Sequence, residues 1–552
     1  MAYIADVRLK ASTFVIVRQT LQELGAQYGC HGQTTLANAL TKAIENKLRK
    51  MTLDLDSNSA IFLTSKNFLL EGQGSIEISL DPTEAQISIV RSLIKVVLHQ
   101  IGSKGHYNLT DGQENLLVSL CVESLQVEAA VPDTVFCDSQ MSMAEEIMQV
   151  FNGNGTSSPK GFLDTEKAPR QTRKSFKVKY YCCLEDCTAE SDSTGITEEF
   201  DRIDIHDTST NSCDDESTLV AIHPTLSDVS ISAETLAQSK IQLLPSAEFE
   251  GLWESLHFDG NIKQKLFSYA TISLKLSNFS QQKLSHTLVS NNKLLLVHGP
   301  PGTGKTTVCK ALCQKLAIRH SGKTHKVFQT NECQAIIVEL SCSQIFSRWF
   351  GESAKNLGRI FQDVENLLLN ESHKNRFVCL LMDEIETLAP SRSSLMGKNE
   401  ATDGIRVVNT LLTKLDSLKR YHNLLILATS NLLSALDPAF VDRADSVFYV
   451  GSPSEIGTSL ILTSTINELI KTGVIVSSMS CSVLETEEMR TSISQIARQC
   501  VLSGISGRTL RKLPLNCLSE HLSSLPVTLR DFTLALALTV QRRVTLETQD
   551  VS

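Results

Sequence analysis

The sequence of 552 residues lacks any apolar run near the ~20 residues that a membrane-spanning helix needs. The start of the chain does not resemble a signal peptide, because Asp6 and Arg8 precede the short apolar stretch Phe14–Val17. Basic charge is not in excess, since 52 Lys and Arg stand against 61 Asp and Glu and give a net charge of −9. We therefore expect no membrane association and no globally basic nucleic-acid coat.

The cysteines lack the pattern of a disulfide framework. Their number, 15, is odd, and several lie in apolar segments that predict buried elements, such as Cys313 and Cys379. This usage is typical of reduced thiols in a cytosolic or nuclear protein. Cys182, Cys183 and Cys187 lie close together without the paired CxxC spacing of a zinc site, so we predict no metal ion there.

Residues 1–245 are predicted to form an α+β N-terminal domain for substrate or adaptor recognition. Val7, Leu9 and the run Phe14–Val17 suggest strands, and Thr35–Met51 is rich in helix formers. Residues 138–216 are polar and turn-rich, which predicts a flexible insertion. A tolerated loop is our favoured interpretation of this insertion, and an acidic docking segment is the alternative.

Basic residues are concentrated at one place in the insertion, between Lys160 and Lys179, and are interleaved with Phe162 and Phe176. Such a segment is compatible with nucleic-acid contact or with a localisation signal. We favour a solvated basic loop beside the acidic stretch Glu185–Glu216.

From residue 246 onward, apolar bursts alternate with helical stretches. This alternation favours a parallel sheet covered by helices on both faces, an α/β fold. We assign residues 246–455 to a large α/β subdomain and residues 456–552 to a small helical subdomain, in which Phe532–Val540 is predicted to be helical. The predicted strands are Leu294–His298, Ala335–Leu340, Phe377–Met382, Leu424–Ala428 and Val447–Val450.

The strongest motif is a phosphate-binding loop that matches GxxxxGK[ST] at every position, after a predicted strand and before a predicted helix. Its glycines let backbone N–H groups turn toward a phosphate, and the helix that follows directs its positive end at the anion. Lys305 would reach the β- and γ-phosphates, and the Thr306 hydroxyl would bind Mg²⁺. The predicted nucleotide-binding residues are Gly299, Pro300, Pro301, Gly302, Thr303, Gly304, Lys305, Thr306 and Thr307.

Polar residues follow two other predicted strands. Asp383 and Glu384 come directly after Phe377–Met382, where Asp383 can hold the Mg²⁺ shell and Glu384 can polarise the attacking water. Asn431 lies three residues after the strand Leu424–Ala428 and can hydrogen-bond either the water or the γ-phosphate. An asparagine at this position, taken alone, is more often a turn residue.

Four segments, GPPGTGKTT, LLMDEIE, LATSN and LDPAFVDRAD, resemble the AAA+ ATPases in order and spacing. Four further segments resemble the pachytene checkpoint subgroup, which remodels HORMA-domain proteins in meiosis and in the spindle checkpoint. The likeness is strong over about Leu244–Val540, and the polar insertion is similar to an expansion of fungal members. The further segments are Phe346–Ser353, Asp403–Asn409, Ala439–Asp445 and Ile505–Pro514.

The resemblance implies an ATP- and Mg²⁺-dependent ring of six identical subunits, with an AAA+ P-loop sheet followed by a helical lid. It assigns Asp383 and Glu384 to the Walker B pair and Asn431 to sensor 1. Arg443 matches the arginine finger that enters the neighbouring subunit's site, and Arg508 matches sensor 2 in the lid. The DRAD segment has one arginine where many AAA proteins have two, while the arginine of GISGR is absent from many AAA proteins and favours the checkpoint subgroup.

The resemblance also implies that Trp349 and Phe350 form a pore loop that grips the substrate. Without it, core packing at a helix start would be the preferred interpretation of these two aromatic residues. It further implies HORMA-domain substrates, reached directly or through an adaptor. We expect the nucleus as the location, at meiotic chromosomes and through protein partners, with the nucleolus and the cytoplasm as further compartments.

Two other functions stay open. A DNA-remodelling AAA+ motor is disfavoured by the net charge of −9 and by the lack of a recognisable DNA-binding module. A nucleotide-gated scaffold for the chromosome axis, without turnover, is disfavoured by the intact pair Asp383 and Glu384.

Overall fold

The computed structural model divides the chain into two compact units. Unit 1 comprises Met1–Asp207 and Ile318–Glu332, and unit 2 comprises Thr208–Ala317 and Cys333–Ser552. The domain limits that we predict at residues 245 and 455 stay predictions. The residues that the structure describes are 2–28, 31–51, 60–64, 67, 83–102, 109–129, 175–183, 219–221, 230–232, 235, 238–280, 293–320, 334–342, 345, 352–369, 376–392, 401–476, 487–521 and 525–550.

Unit 1 is an α+β structure around one apolar core. Its elements are β1 (Ala2–Leu9), α1 (Ala11–Tyr28), α2 (His31–Lys50), β2 (Ala60–Thr64), α3 (Glu84–Gly102), α4 (Asp111–Cys121), β3 (Val122–Ala129) and β4 (Ser175–Tyr181). The four strands form a sheet in the order β2–β3–β1–β4, in which β3 is antiparallel to its neighbours and β4 is parallel to β1. Leu36, Leu40 and Ile44 on one face of α2 are fully buried in the core, which confirms the predicted helix.

Two sequence predictions in unit 1 are wrong. The run Phe14–Val17 belongs to α1 and not to a strand, because a short apolar run fits a buried helix face as well as a strand. Part of the predicted insertion is also not a loop, since β4 lies within it. Val178 and Tyr180 are buried in the core, while Lys179 between them is half-buried and Lys177 before them is exposed, so the basic segment ends in a sheet strand.

Unit 2 contains a six-stranded sheet in the order β12–β8–β11–β10–β9–β7. Five of the strands are parallel and match the predicted ones within about two residues. Four of them are short apolar runs buried on both faces, whereas β12 at the edge is partly exposed. The sequence did not predict β7, which joins the edge antiparallel to β9. The strands of this sheet are β7 (Ser239–Leu244), β8 (Leu294–His298), β9 (Ala335–Ser341), β10 (Phe377–Asp383), β11 (Leu424–Ser430) and β12 (Ser446–Tyr449). Before them in the chain, β5 (Leu219–Ala221) and β6 (Ser230–Ser232) form a separate antiparallel pair.

The register of the parallel strands brings their carboxyl ends to one edge of the sheet. Asp383 pairs with Ser341, and Ser430 pairs with His298. In open α/β sheets, ligands bind at this edge. The helices of this part of unit 2 are α5 (Leu252–Ser255), α6 (Ile262–Ser280), α7 (Lys305–His320), α8 (Glu352–Leu369), α9 (Ala401–Leu418) and α10 (Pro438–Val441).

The lid is the helical bundle at the end of unit 2. Its core includes Leu462, Ile493, Leu510 and Phe532, and the predicted helix over Phe532–Val540 is confirmed. Within the described ranges, we find no helix that is both long and apolar enough to cross a bilayer. The lid helices are α11 (Glu455–Lys471), α12 (Glu487–Leu502), α13 (Gly507–His521) and α14 (Leu529–Asp550).

Candidate active site

The phosphate-binding loop connects β8 to α7 and depends on glycine at its first position. The φ angle of Gly299 is +150°, and its N–H donates a hydrogen bond to Ser430 O at 3.2 Å. A Cβ atom on Gly299 would lie 2.0 Å from Val450 O. Only glycine fits this approach of two backbones, so the loop is fastened to the ends of both β11 and β12.

We expect Gly299→Ala to lower the free energy of unfolding of unit 2 by about 3–5 kcal/mol, because the new methyl group overlaps a backbone carbonyl. The matched control is Gly358→Ala in α8, where a Cβ meets nothing within 4 Å. That change is expected to raise the free energy by about 0.5–1 kcal/mol. Urea unfolding followed by tryptophan fluorescence measures both, since Trp253 and Trp349 belong to unit 2. Equal midpoints for the two variants would contradict this account of the loop.

Lys305 is the first residue of α7 and lies at the base of the loop. Its Nζ donates a hydrogen bond to Pro300 O at 2.8 Å, and its side chain is buried. Burial lowers the pKa of Lys305, and the charges of Glu386, Asp383 and Glu384 act against that decrease. These carboxylates favour the charged form of the buried ammonium, and a charged lysine at the base of the loop is suited to bind phosphate oxygens.

Hard oxygen atoms meet at the end of β10. The Thr306 hydroxyl donates a hydrogen bond to Asp383 Oδ1 at 2.7 Å, and the Thr429 hydroxyl donates to the same atom. Hydroxyl and carboxylate oxygens are the ligands that Mg²⁺ prefers, so the donor set fits this ion. Sequence analysis missed Thr429, and its only signal was a polar residue at the end of the buried strand β11.

Glu384 occupies a strained position at the same strand end. Its φ of +54° is left-handed, and its N–H donates a hydrogen bond to Thr429 Oγ1 at 3.2 Å. A non-glycine residue in this conformation costs about 1–3 kcal/mol and is found most often at active sites. The turn leaves the Glu384 side chain exposed toward the carboxyl edge, where it can accept a proton from water.

Asn431 is held by a residue that sequence analysis also missed. Its backbone N–H and its Nδ2 donate hydrogen bonds to Glu386 Oε1 at 3.1 and 3.0 Å. The other oxygen, Glu386 Oε2, is buried and has no hydrogen-bond partner in the described part of the chain. The signal available in the sequence was a third acid after β10, two residues beyond Glu384.

A cavity of about 750 Å³ joins these groups. Its other end is lined by Leu256, His257, Phe258 and Ile461, which offer an apolar slot of the kind that holds a flat base. Burial lowers the pKa of His257, which favours the neutral imidazole. The predicted site residues that line the cavity include Lys305, Thr306, Asp383, Glu384, Asn431 and Arg508.

The lid contacts the loop directly. The N–H of Arg508 donates a hydrogen bond to Gly302 O at 3.0 Å. Gly302 has φ of +76°, and a Cβ there would lie 2.9 Å from Ser506 Oγ. The close approach of the two segments therefore places the exposed side chain of Arg508 at the cavity wall.

Arg443 does not line this cavity. Its Nε and Nη2 donate hydrogen bonds to the two carboxylate oxygens of Asp416 at 3.2 and 2.8 Å, and its Nη1 donates to Ala439 O at 2.9 Å. The hydrogen bond from Arg443 lowers the pKa of Asp416. The predicted pore-loop residues Trp349 and Phe350 lie outside the described residues.

Two segments of unit 2 match known protein families. Residues 295–452 match the ATPase family associated with various cellular activities (AAA), and residues 458–544 match the TRIP13-like AAA+ ATPase lid C-terminal domain. Pachytene checkpoint protein 2 of Saccharomyces cerevisiae is 41% identical over 98% of this chain and 99% of its own length. The chain belongs to the pachytene checkpoint protein 2 family of AAA+ ATPases.

Other relatives match a smaller share of the chain. The Pachytene checkpoint protein 2 homolog of Sus scrofa is 37% identical over 58% of this chain and 73% of its own. The solved structure of C. elegans PCH-2 is 33% identical, with a TM-score of 0.47, and covers 56% of this chain and 76% of that chain.

Family membership confirms the AAA+ fold with its helical lid and the predicted ATPase activity. The AAA domain implies nucleotide binding, and the cavity beside the phosphate-binding loop lies within that domain. The roles of the individual residues stay predictions, and their positions support them to different degrees. Asp383 and Glu384 share one hydrogen-bond network with Thr429, whereas Arg443 lies outside the cavity lining.

Proposed function

We propose that the protein is a homo-hexameric, ATP-driven remodeller of HORMA-domain proteins in the meiotic pachytene checkpoint, in chromosome-axis organisation and in recombination control. One observation carries this proposal. A single cavity joins Lys305, Asp383, Glu384 and Arg508, while Arg443 projects from the same unit without lining it. A site that has every hydrolytic group except its finger is suited to completion by a second subunit.

Hydrolysis requires charge neutralisation and an activated water. Lys305 binds the β- and γ-phosphates, and Thr306 and Asp383 would hold Mg²⁺, whose bound charge neutralises the phosphate oxygens. Glu384 accepts the proton of the attacking water. Asn431 orients that water or the γ-phosphate, and Glu386 keeps its amide in place.

Apolar exposure on the lid supports association of subunits. Large aliphatic side chains that are exposed together in one patch mark an interaction surface. Arg443 of one subunit would then reach the γ-phosphate held by its neighbour, where its fixed charge stabilises the transition state. The exposed lid residues are Ile456 (75%), Leu460 (45%), Leu502 (80%), Leu515 (70%), Leu534 (59%) and Leu538 (54%).

We propose that Trp349 and Phe350 grip a mobile segment of the HORMA protein and pull it along the ring axis. Aromatic side chains need no sequence code, because any extended chain offers them apolar surface. A folded domain is held by about 5–15 kcal/mol, so a few ATP turnovers suffice for local unfolding. The N-terminal domain selects the substrate, directly or through an adaptor, and meiotic chromosomes in the nucleus are the proposed place of action.

Steady-state ATP hydrolysis by the full chain, with and without a purified meiotic HORMA protein, tests this function. We expect the HORMA protein to raise kcat for ATP hydrolysis about twofold to tenfold, because substrate movement through the ring is coupled to the conformational steps that limit turnover. Trp349→Ala should keep basal hydrolysis and lose both the stimulation and the conversion of the HORMA protein to its open state. Ile272→Ala, at an exposed residue of α6 outside both the cavity and the N-terminal domain, is the matched control for loss of a large apolar side chain.

The same assay separates the two alternatives. Stimulation by duplex DNA and not by HORMA protein would favour a DNA-remodelling motor. Absence of phosphate release under every condition would favour a nucleotide-gated scaffold. Retained remodelling by the Trp349→Ala variant would remove the proposed pore role.

A further inference from the structure

We infer that Asp416 is a positioning residue for ATP hydrolysis: it holds the Arg443 guanidinium in the orientation from which it enters the neighbouring subunit's site. This inference rests on the proposed ring. Asp416 lies near the end of α9, 27 positions before Arg443, and no sequence motif links the two. The two residues are far apart in the sequence, and folding of the chain brings their side chains into contact.

The contact fixes the plane of the guanidinium group. Two parallel hydrogen bonds, from Nε at 3.2 Å and Nη2 at 2.8 Å, reach the two oxygens of one carboxylate. The third bond, from Nη1 to Ala439 O at 2.9 Å, holds the same group from the side of α10. A two-point contact of this kind sets orientation as well as position, which a single-point contact does not.

Asp416 does not neutralise the finger completely. Lys419 Nζ lies 2.7 Å from Asp416 Oδ1, so one carboxylate serves two cations. These three side chains together carry one net positive charge, which is the sign that attracts a γ-phosphate. The hydrogen bond to Asp416 raises the pKa of Arg443, and the charges of Asp442 and Asp437 also raise it, which holds the guanidinium in its charged form. The side chains of Arg443 and Asp416 are 27% and 40% exposed, so a ligand on another subunit can approach the pair.

Without Asp416, the Arg443 side chain samples several conformations, and it must lose that conformational freedom each time it binds the γ-phosphate. The expected loss is therefore in kcat and not in nucleotide affinity, because the finger acts on the transition state. We expect Asp416→Ala to lower kcat by about tenfold to 100-fold, the range of a displaced catalytic group, with an unchanged KM for ATP. Asp416→Glu, which retains the carboxylate, should recover part of that loss.

Two combinations identify the route of action. In an Arg443→Ala background, Asp416→Ala should have no further effect on kcat, because residues that act as a unit are not additive. In rings mixed with Lys305→Ala subunits, which have an intact Arg443, the Asp416→Ala subunits should regain hydrolysis. Asp442→Asn removes the charge next to Arg443 in the sequence and is the matched control, with a change below about twofold.

Several results would overturn the inference. Wild-type or raised kcat in Asp416→Ala would show that the pair is dispensable or that it restrains the finger. A loss of kcat that Lys305→Ala subunits do not restore, while Arg443→Ala is restored, would place the defect in the variant's own site. If Arg443→Ala is not restored either, the proposed ring geometry fails first. Thermal melting of each variant checks that the subunit is folded.

Discussion

Replacing Glu384 with Gln is expected to keep ATP binding and to lower kcat by about 10²–10⁴-fold, the usual contribution of a positioned general base. The amide has nearly the same shape as the carboxylate and preserves the turn at φ of +54°. It cannot accept the proton of the attacking water. The lysine, the threonine and the loop that we propose to bind nucleotide are untouched, so the affinity for ATP should stay within about twofold.

Equilibrium binding of a fluorescent ATP analogue and phosphate release measure the two quantities separately. Glu468→Gln, at an exposed carboxylate on the lid helix α11, is the matched control and should change neither. Turnover near the wild-type value in Glu384→Gln would exclude this residue as the base. A parallel loss of binding would instead indicate that the strained turn had collapsed.

The strands that carry this site could be predicted because they are buried on both faces. β8, β10 and β11 are continuous apolar runs followed by polar residues, and that pattern specifies a parallel sheet with its chemistry at one edge. The loop glycines are equally specific, since Gly299 stands where no side chain fits. Local sequence therefore determined the position of Lys305 and Asp383.

Other features depend on contacts between distant positions. Thr429 and Glu386 are ordinary polar residues until the register of β10 and β11 brings them to Asp383 and Asn431. The run Phe14–Val17 failed as a strand because its apolar residues fit a helix face, and only packing in unit 1 decides between the two. Similarly, the polar and basic composition around β4 predicts a loop, and only its pairing with the distant strand β1 makes this segment a strand.

Arg443→Ala is expected to lower kcat by about 10³-fold or more, because a trans-acting arginine stabilises the charge that develops on the γ-phosphate. The loss should occur without a change in the fold, since the side chain is partly exposed and contacts Asp416 and Ala439 near the surface. Lys305→Ala subunits should be inactive for a different reason, namely that they do not hold nucleotide. Their Arg443 is unchanged.

Mixing the two inactive variants distinguishes a finger that acts in trans from one that acts in its own subunit. An Arg443→Ala subunit supplies an intact nucleotide site, and a neighbouring Lys305→Ala subunit supplies the missing guanidinium. Recovered hydrolysis should be greatest at equal mixing and should vanish when only one variant is present. Each active interface needs one subunit of each kind. A flat, inactive response in rings verified as mixed by mass would mean that Arg443 works within its own chain, although it does not line the cavity there.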